Sequence, residues 1–200
     1  MQDRQNQRVR RSPEEARALI IASAETILLR EGVQAVQVRA VAREAGMTDA
    51  GITHHFGNRE GLLTALLDNG ARKTREAISE TVQSWAEEEP DIARLVETLH
   101  DLYRSGYAAL ALQLYNSGWQ DTGQPLLEPV VAPLMARNKN PQTTEEDLRG
   151  ALASLHQWLA LEPLFGSPFR RSAGLKQNSK VKLQLAWWIN SIEAMLRPKT

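Results

Sequence analysis

From Pro13 to Leu196 the apolar residues recur at spacings of three and four, and no stretch of strand length alternates apolar with polar side chains. Such a chain can satisfy its backbone and bury its apolar stripe only as an all-α fold. Punctuation marks where the helices begin. Ser12-Pro13-Glu14-Glu15 supplies an N-cap hydroxyl, a proline at the first helical position and a Glu that closes a capping box. It predicts a helix over 13–30, stopped by Gly32. A short helix is expected over 38–45, then the break Gly46-Met47-Thr48, then a second short helix over 49–55 capped by the Thr48 hydroxyl. After Phe56-Gly57-Asn58 a long helix over 59–88 carries Leu62, Leu63, Leu66, Leu67, Ile78 and Val82 on one stripe.

Beyond Pro90 the period persists. Ile92, Leu95, Val96, Leu99 and Leu102 form a stripe, and 107–115 is almost apolar all round, as a buried helix is. Pro125, Pro129, Pro133 and Pro141 cut 116–142 into brief helices and loops. Thr143-Thr144-Glu145-Glu146 starts a helix with Leu148, Leu152, Leu155 and Leu159 on one face; a loop over 163–177 follows, and Val181, Leu185, Trp188, Ile189, Ile192 and Leu196 make the last stripe. The expected organisation is a flexible basic tail (1–11), a small helical domain (12–58) and a larger helical domain (59–200).

Composition narrows the chemistry. Lys+Arg and Asp+Glu both number 24, yet up to Arg75 there are 12 basic residues against 9 acidic, and beyond it 12 against 15. The first part suits the neighbourhood of phosphates and the second does not. There is no Cys, so thiol nucleophiles, disulfides and cysteine-ligated metals are excluded. With no apolar run near the ~20 residues of a membrane span and no hydrophobic signal core, a cytoplasmic location is expected. His54 and His55 are adjacent, diverge by about 100° on a helix, and do not make a metal pair; His100 and His156 read as core or pocket histidines. No phosphate loop, nucleophile elbow or carboxylate constellation supports an enzyme, and no cofactor is expected.

Two short helices joined by a three-residue turn have the dimensions of a helix-turn-helix, whose second helix enters a major groove about 12 Å wide. On spacing alone a helical hairpin with a polar outer surface explains the pattern equally well. The residues add more. Val38-Arg39-Ala40-Val41-Ala42-Arg43-Glu44-Ala45-Gly46-Met47-Thr48, followed by Gly51-Ile52-Thr53-His54-His55-Phe56-Gly57-Asn58-Arg59-Glu60-Gly61-Leu62-Leu63, resembles the DNA-binding signature of TetR-type transcriptional regulators. The resemblance covers about 13–67. It implies a homodimer on double-stranded, pseudo-palindromic operator DNA, released when a small-molecule effector occupies the second domain.

By position, the resemblance assigns Thr48, Asp49, Ala50, Gly51, Thr53, His54 and His55 to the recognition helix, with Ile52 and Phe56 turned inward. It gives Arg59, where the family usually has Lys, a phosphate contact, and places Gln37 and Arg39 near the DNA backbone. Three departures stand out. Thr53 replaces a common Tyr, Gln37 and Val36 replace a Ser/Thr cap and a Thr, and Gly61 is a poor helix former near the start of a long helix.

For the larger domain, Tyr103, Tyr107, Tyr115, Trp119, Met135, His156, Trp158 and Phe165 are the candidate effector residues, an apolar aromatic set with a few polar handles. Leu148, Leu152, Leu155 and Leu159, with Leu185, Trp188, Ile189 and Ile192, are the candidate dimer residues, since two wide apolar faces can make an intermolecular four-helix bundle; burial of both faces inside one chain is the other reading. The expected function is a ligand-responsive repressor. A small-molecule or protein-interaction module without useful DNA affinity is the alternative left open by the departures.

Overall fold

The computed structural model describes residues 11–85, 90–120, 125–176 and 181–198. The basic tail, save Arg11, and the stretch 86–88 expected to end the long helix lie outside the described residues. All regular elements among the described residues are helical: α1 (Pro13–Glu31), α2 (Val38–Ala45), α3 (Asp49–Phe56), α4 (Arg59–Ser84), α5 (Ile92–Leu102), α6 (Ala108–Asn116), α7 (Glu128–Ala136), α8 (Glu145–Ser172) and α9 (Lys182–Leu196). A 3-10 turn (Val33–Ala35) leads into α2, and a π-helical turn (Tyr103–Tyr107) joins α5 to α6.

The chain forms two compact units, residues 1–66 and 67–200. In the first, α1 starts on the predicted capping box, in which Glu15 N donates to Ser12 Oγ at 3.1 Å and Ser12 N to Glu15 Oε2 at 2.7 Å. Ile20, Ala24, Ile27 and Leu28 of α1 pack with Val36, Val41, Ala42 and Ile52, all buried. Leu62, Leu63 and Leu66 are equally buried, so the first turns of α4 complete this core. That is why the division falls inside α4, later than the boundary drawn at Asn58.

The second unit contains a large buried cluster, and Leu110 and Leu114 of α6 are buried outside it. Ile78, Leu95, Val96, Leu99, Val130 and Leu134 meet Leu148, Leu152, Leu155, Leu159, Leu185 and Ile192 in a single cluster. Two expectations are corrected here. The loop expected over 163–177 is helical as far as Ser172, with Pro163 and Pro168 inside α8. A proline ring removes one intrahelical bond and strains another, but a buried ion pair spans the weak stretch: Arg170 Nη1 lies 2.6 Å from Glu162 Oε1, with the side chains 11% and 8% exposed. Gly166 lies beneath it, where a Cβ would come 2.5 Å from Glu162 Oε1. The second correction concerns 107–115. Gly106, at φ 106°, breaks the helix into the π turn, and Leu112 and Tyr115 stand exposed on α6.

Candidate nucleic-acid interface

The helix-turn-helix is assembled by local chemistry. Gly46 ends α2 in the left-handed region at φ 63°, ψ 34°, with its N–H returned to Ala42 and Arg43 carbonyls. Thr48 then caps α3 by accepting from Gly51 N at 3.1 Å. Ile52 and Phe56 are buried and fix the rotation of α3 about its axis. The opposite side is open: Thr48, Asp49, Ala50, Thr53 and His54 are exposed, and Gly51 and His55 half-buried. Gln37 and Arg39 are exposed at the entry to α2. A polar helix face of small and hydrogen-bonding residues, rigidly backed by two apolar anchors, is what base-edge readout requires.

Three side chains donate to main-chain carbonyls. Arg59 does not extend toward solvent as a phosphate contact would. It is half-buried and donates from Nε to Val36 O at 2.7 Å and from Nη2 to Val33 O at 3.0 Å. Gln37 leaves α2 without a side-chain cap, its Nε2 donating instead to Gln34 O at 2.9 Å. Arg17 of α1 carries a role that sequence spacing gave no sign of: its Nη1 donates to His55 O at 2.7 Å and its guanidinium lies 4.2 Å from the Phe56 ring centre. An isolated arginine on an amphipathic helix has no local signature for a partner 38 residues away.

Residues 20–66 match the family model of bacterial regulatory proteins, tetR family. The helix-turn-helix just described lies wholly within them. That stretch is similar to the tetR family of bacterial regulatory proteins. A search of curated proteins found no match to the chain. Among solved structures, BioQ of Mycobacterium smegmatis is 19% identical over 88% of this chain and 97% of its own, with a TM-score of 0.51. BioQ with its natural double-stranded DNA operator is 18% identical over 89% and 98%, TM-score 0.51. The multidrug binding protein EbrR complexed with imidazole is 19% identical over 93% and 97%, TM-score 0.51. At such identities the likeness is one of fold.

In the second unit the candidate effector residues do not converge on one cavity. Tyr103 and His156 do meet: the Tyr103 hydroxyl hydrogen-bonds His156 Nε2, with ring centres 5.6 Å apart. His156 also lines a cavity of about 210 Å³ with Leu126, Leu127, Val131 and Leu152, at whose edge Arg149 holds Glu128 at 2.6 Å. Trp158 instead faces a second cavity of about 390 Å³, beside Leu161, Glu162, Phe169 and Gln184. Tyr107 is buried against Gly70, where no Cβ fits. Tyr115 and Phe165 are exposed, at 72% and 42%; Trp119 is half-buried, and Met135 packs on the core. Aromatic composition reported the core and the surface as readily as a pocket.

Most of the candidate dimer residues lie in the core of their own chain, the other of the two readings. Leu148, Leu152, Leu155, Leu159, Leu185 and Ile192 are buried within their own chain, and Trp188 and Ile189 pack on the same core. The six are occupied as core in their own chain, whereas Trp188 and Ile189 are only half-buried. The large apolar side chains left exposed on these helices are Leu161, Phe165 and Phe169 of α8 and Leu183 and Trp187 of α9. His100, expected to be a satisfied core histidine, is buried with Nε2 lacking a hydrogen-bond partner and 3.9 Å from Glu162 Oε2.

Proposed function

We propose that this protein is a TetR-family transcriptional regulator, a repressor that binds a pseudo-palindromic operator as a two-fold dimer and leaves it when a small, mostly apolar molecule enters the second unit. The observation that carries the DNA reading is the open outer face of α3, from Asp49 to His54, backed by buried Ile52 and Phe56. The fold shared with BioQ, which was crystallised on its own operator, supports it. Selection of random duplex DNA by the full chain is the test. An enriched inverted repeat is expected, and enrichment of no sequence ends the reading. His54→Ala is expected to weaken binding to the enriched duplex more than to random duplex; equal losses would remove His54 from base readout.

For release, the site favoured is the cavity beside the Tyr103–His156 pair, because it joins a hydrocarbon wall to His156 and, at its edge, the Glu128–Arg149 ion pair, next to a π turn, an irregularity often associated with function. The likeness of fold to EbrR, a multidrug binding protein, is consistent with a small-molecule partner. Only a ligand that binds the DNA-free state more tightly can shift the equilibrium. A thermal-shift screen of small apolar and aromatic compounds is expected to find stabilisers whose effect is lost in His156→Leu; the absence of any stabiliser would count against an effector of this class. Pairing is assigned to the exposed apolar side chains of α8 and α9, Trp187 foremost.

A further inference from the structure

The helix-turn-helix is gripped at both ends by arginines that bind main chain. At its entry the 3-10 turn ends in Val36, whose carbonyl precedes the first intrahelical acceptor of α2, and Gln37 provides no side-chain cap. Arg59, the first residue of α4, reaches back to take Val36 O and Val33 O together. At its exit, the His55 carbonyl in the last turn of α3 accepts from Arg17 of α1, a cation at the negative end of the helix dipole that also covers the Phe56 ring. The His55 carbonyl, in the last turn of α3, has no intrahelical donor; Val33 O also accepts from Val36 N at 3.2 Å, so Arg59 adds to the bond of the 3-10 turn itself.

We propose that Arg17 and Arg59 are positioning residues for DNA binding, which set the pose of the recognition helix by clamping the backbone at the two ends of the α2–α3 unit rather than by touching phosphate. The proposal rests on the DNA-binding reading above and extends it. The fork of a guanidinium matters here more than its charge. Arg59 spans two carbonyls with two different nitrogens, which a single ammonium cannot reproduce. Because Arg59 opens α4, the helix that runs on into the second unit, the same clamp makes the entry to α2 follow any movement of the start of α4.

Charge and pose are separable by experiment. Arg59→Lys and Arg59→Gln, with Arg17→Gln, are to be measured as full-length chains on a random-sequence duplex and on the duplex enriched by the parent chain, over a range of salt. The clamp predicts that Arg59→Lys loses about tenfold in affinity for the enriched duplex, as expected for charge-assisted hydrogen bonds. It also predicts that the slope of log K against log salt stays that of the parent. A phosphate contact predicts the reverse: full rescue by Lys, and in Arg59→Gln a slope lower by about one. Either of those results overturns the proposal, as does a lowered melting temperature with unchanged affinity of the folded chain. Amide exchange in the DNA-free chain is the second readout. Faster exchange across residues 37–46 is expected in Arg59→Lys, and parent-like protection there overturns the clamp. If the parent enriches no duplex the DNA reading fails, while amide exchange still reports on Arg59.

Discussion

Gly61 stands in the first turn of a long helix, where alanine ordinarily serves better by up to about 1 kcal/mol. In this chain the preference inverts. A Cβ at Gly61 would overlap the Phe56 carbonyl oxygen, because α4 starts directly over the end of α3 after the tight turn at Gly57-Asn58, with Gly61 N donating to Asn58 Oδ1 at 2.9 Å. The obstacle is backbone and cannot rotate away. Gly61→Ala is therefore expected to destabilise by about 2 kcal/mol or more, the cost of overpacking, and to disturb α3 first; an unchanged or raised melting temperature would refute the close approach. What reads as a departure from good helix sequence is the residue that lets the recognition helix end where it does.

At the scale of elements, α8 shows how a polar pair can rescue a weak stretch. Pro163, Gly166 and Pro168 should each interrupt it, yet the helix runs from Glu145 to Ser172. Buried pairs are costly to desolvate, and removing one partner costs about 3–5 kcal/mol because the other charge is stranded. Arg170→Ala should accordingly destabilise by about that much and fray α8 beyond Glu162, whereas Arg170→Ala combined with Glu162→Leu should recover part of the loss. Single and double variants of equal stability would show that the pair is not what carries the helix past its prolines.

The start of α8 gives a pH dependence. Asp147 accepts from the backbone N–H of Thr144 and from its hydroxyl, and Glu128 accepts from Arg149; both carboxyls are held below the usual carboxylate range. Groups that titrate lower in the folded chain than in the unfolded one contribute fully above that range and lose the contribution as pH falls through it. The melting temperature should therefore decline below a pH of about 4, and Asp147→Asn should make the decline shallower. An unaltered acid limb would exclude Asp147 from it.

At the scale of the whole molecule, the burial pattern separates folding from assembly. Leu155 is fully buried within its own chain, so Leu155→Glu should unfold the second unit rather than split a dimer, an uncompensated charge in an apolar core being among the costliest of substitutions. Trp187, 61% exposed on α9, is the better probe. Trp187→Glu should give folded monomers by sedimentation at micromolar concentration where the parent sediments as a dimer. A parent monomer, or a variant that remains dimeric, would locate assembly elsewhere.

Local patterns made the helices and the helix-turn-helix legible: Ser12, Thr48, Gly46 and Asn58 act within a few residues of themselves, and the stripes at Ile20, Leu62, Val96 and Leu152 state which face is inward by periodicity alone. Nothing local states which apolar face meets its own chain and which is left over, so Leu155 reads equally as core or as dimer contact, and Trp187, off the stripe, gives no sign that it stays exposed. Long side chains are the same problem in sharper form. Arg59 has the charge for a phosphate and the reach for two carbonyls, and Glu162 finds its partner across two prolines; the choice depends on which groups the fold brings within reach, a property of the assembled chain that no residue carries by itself.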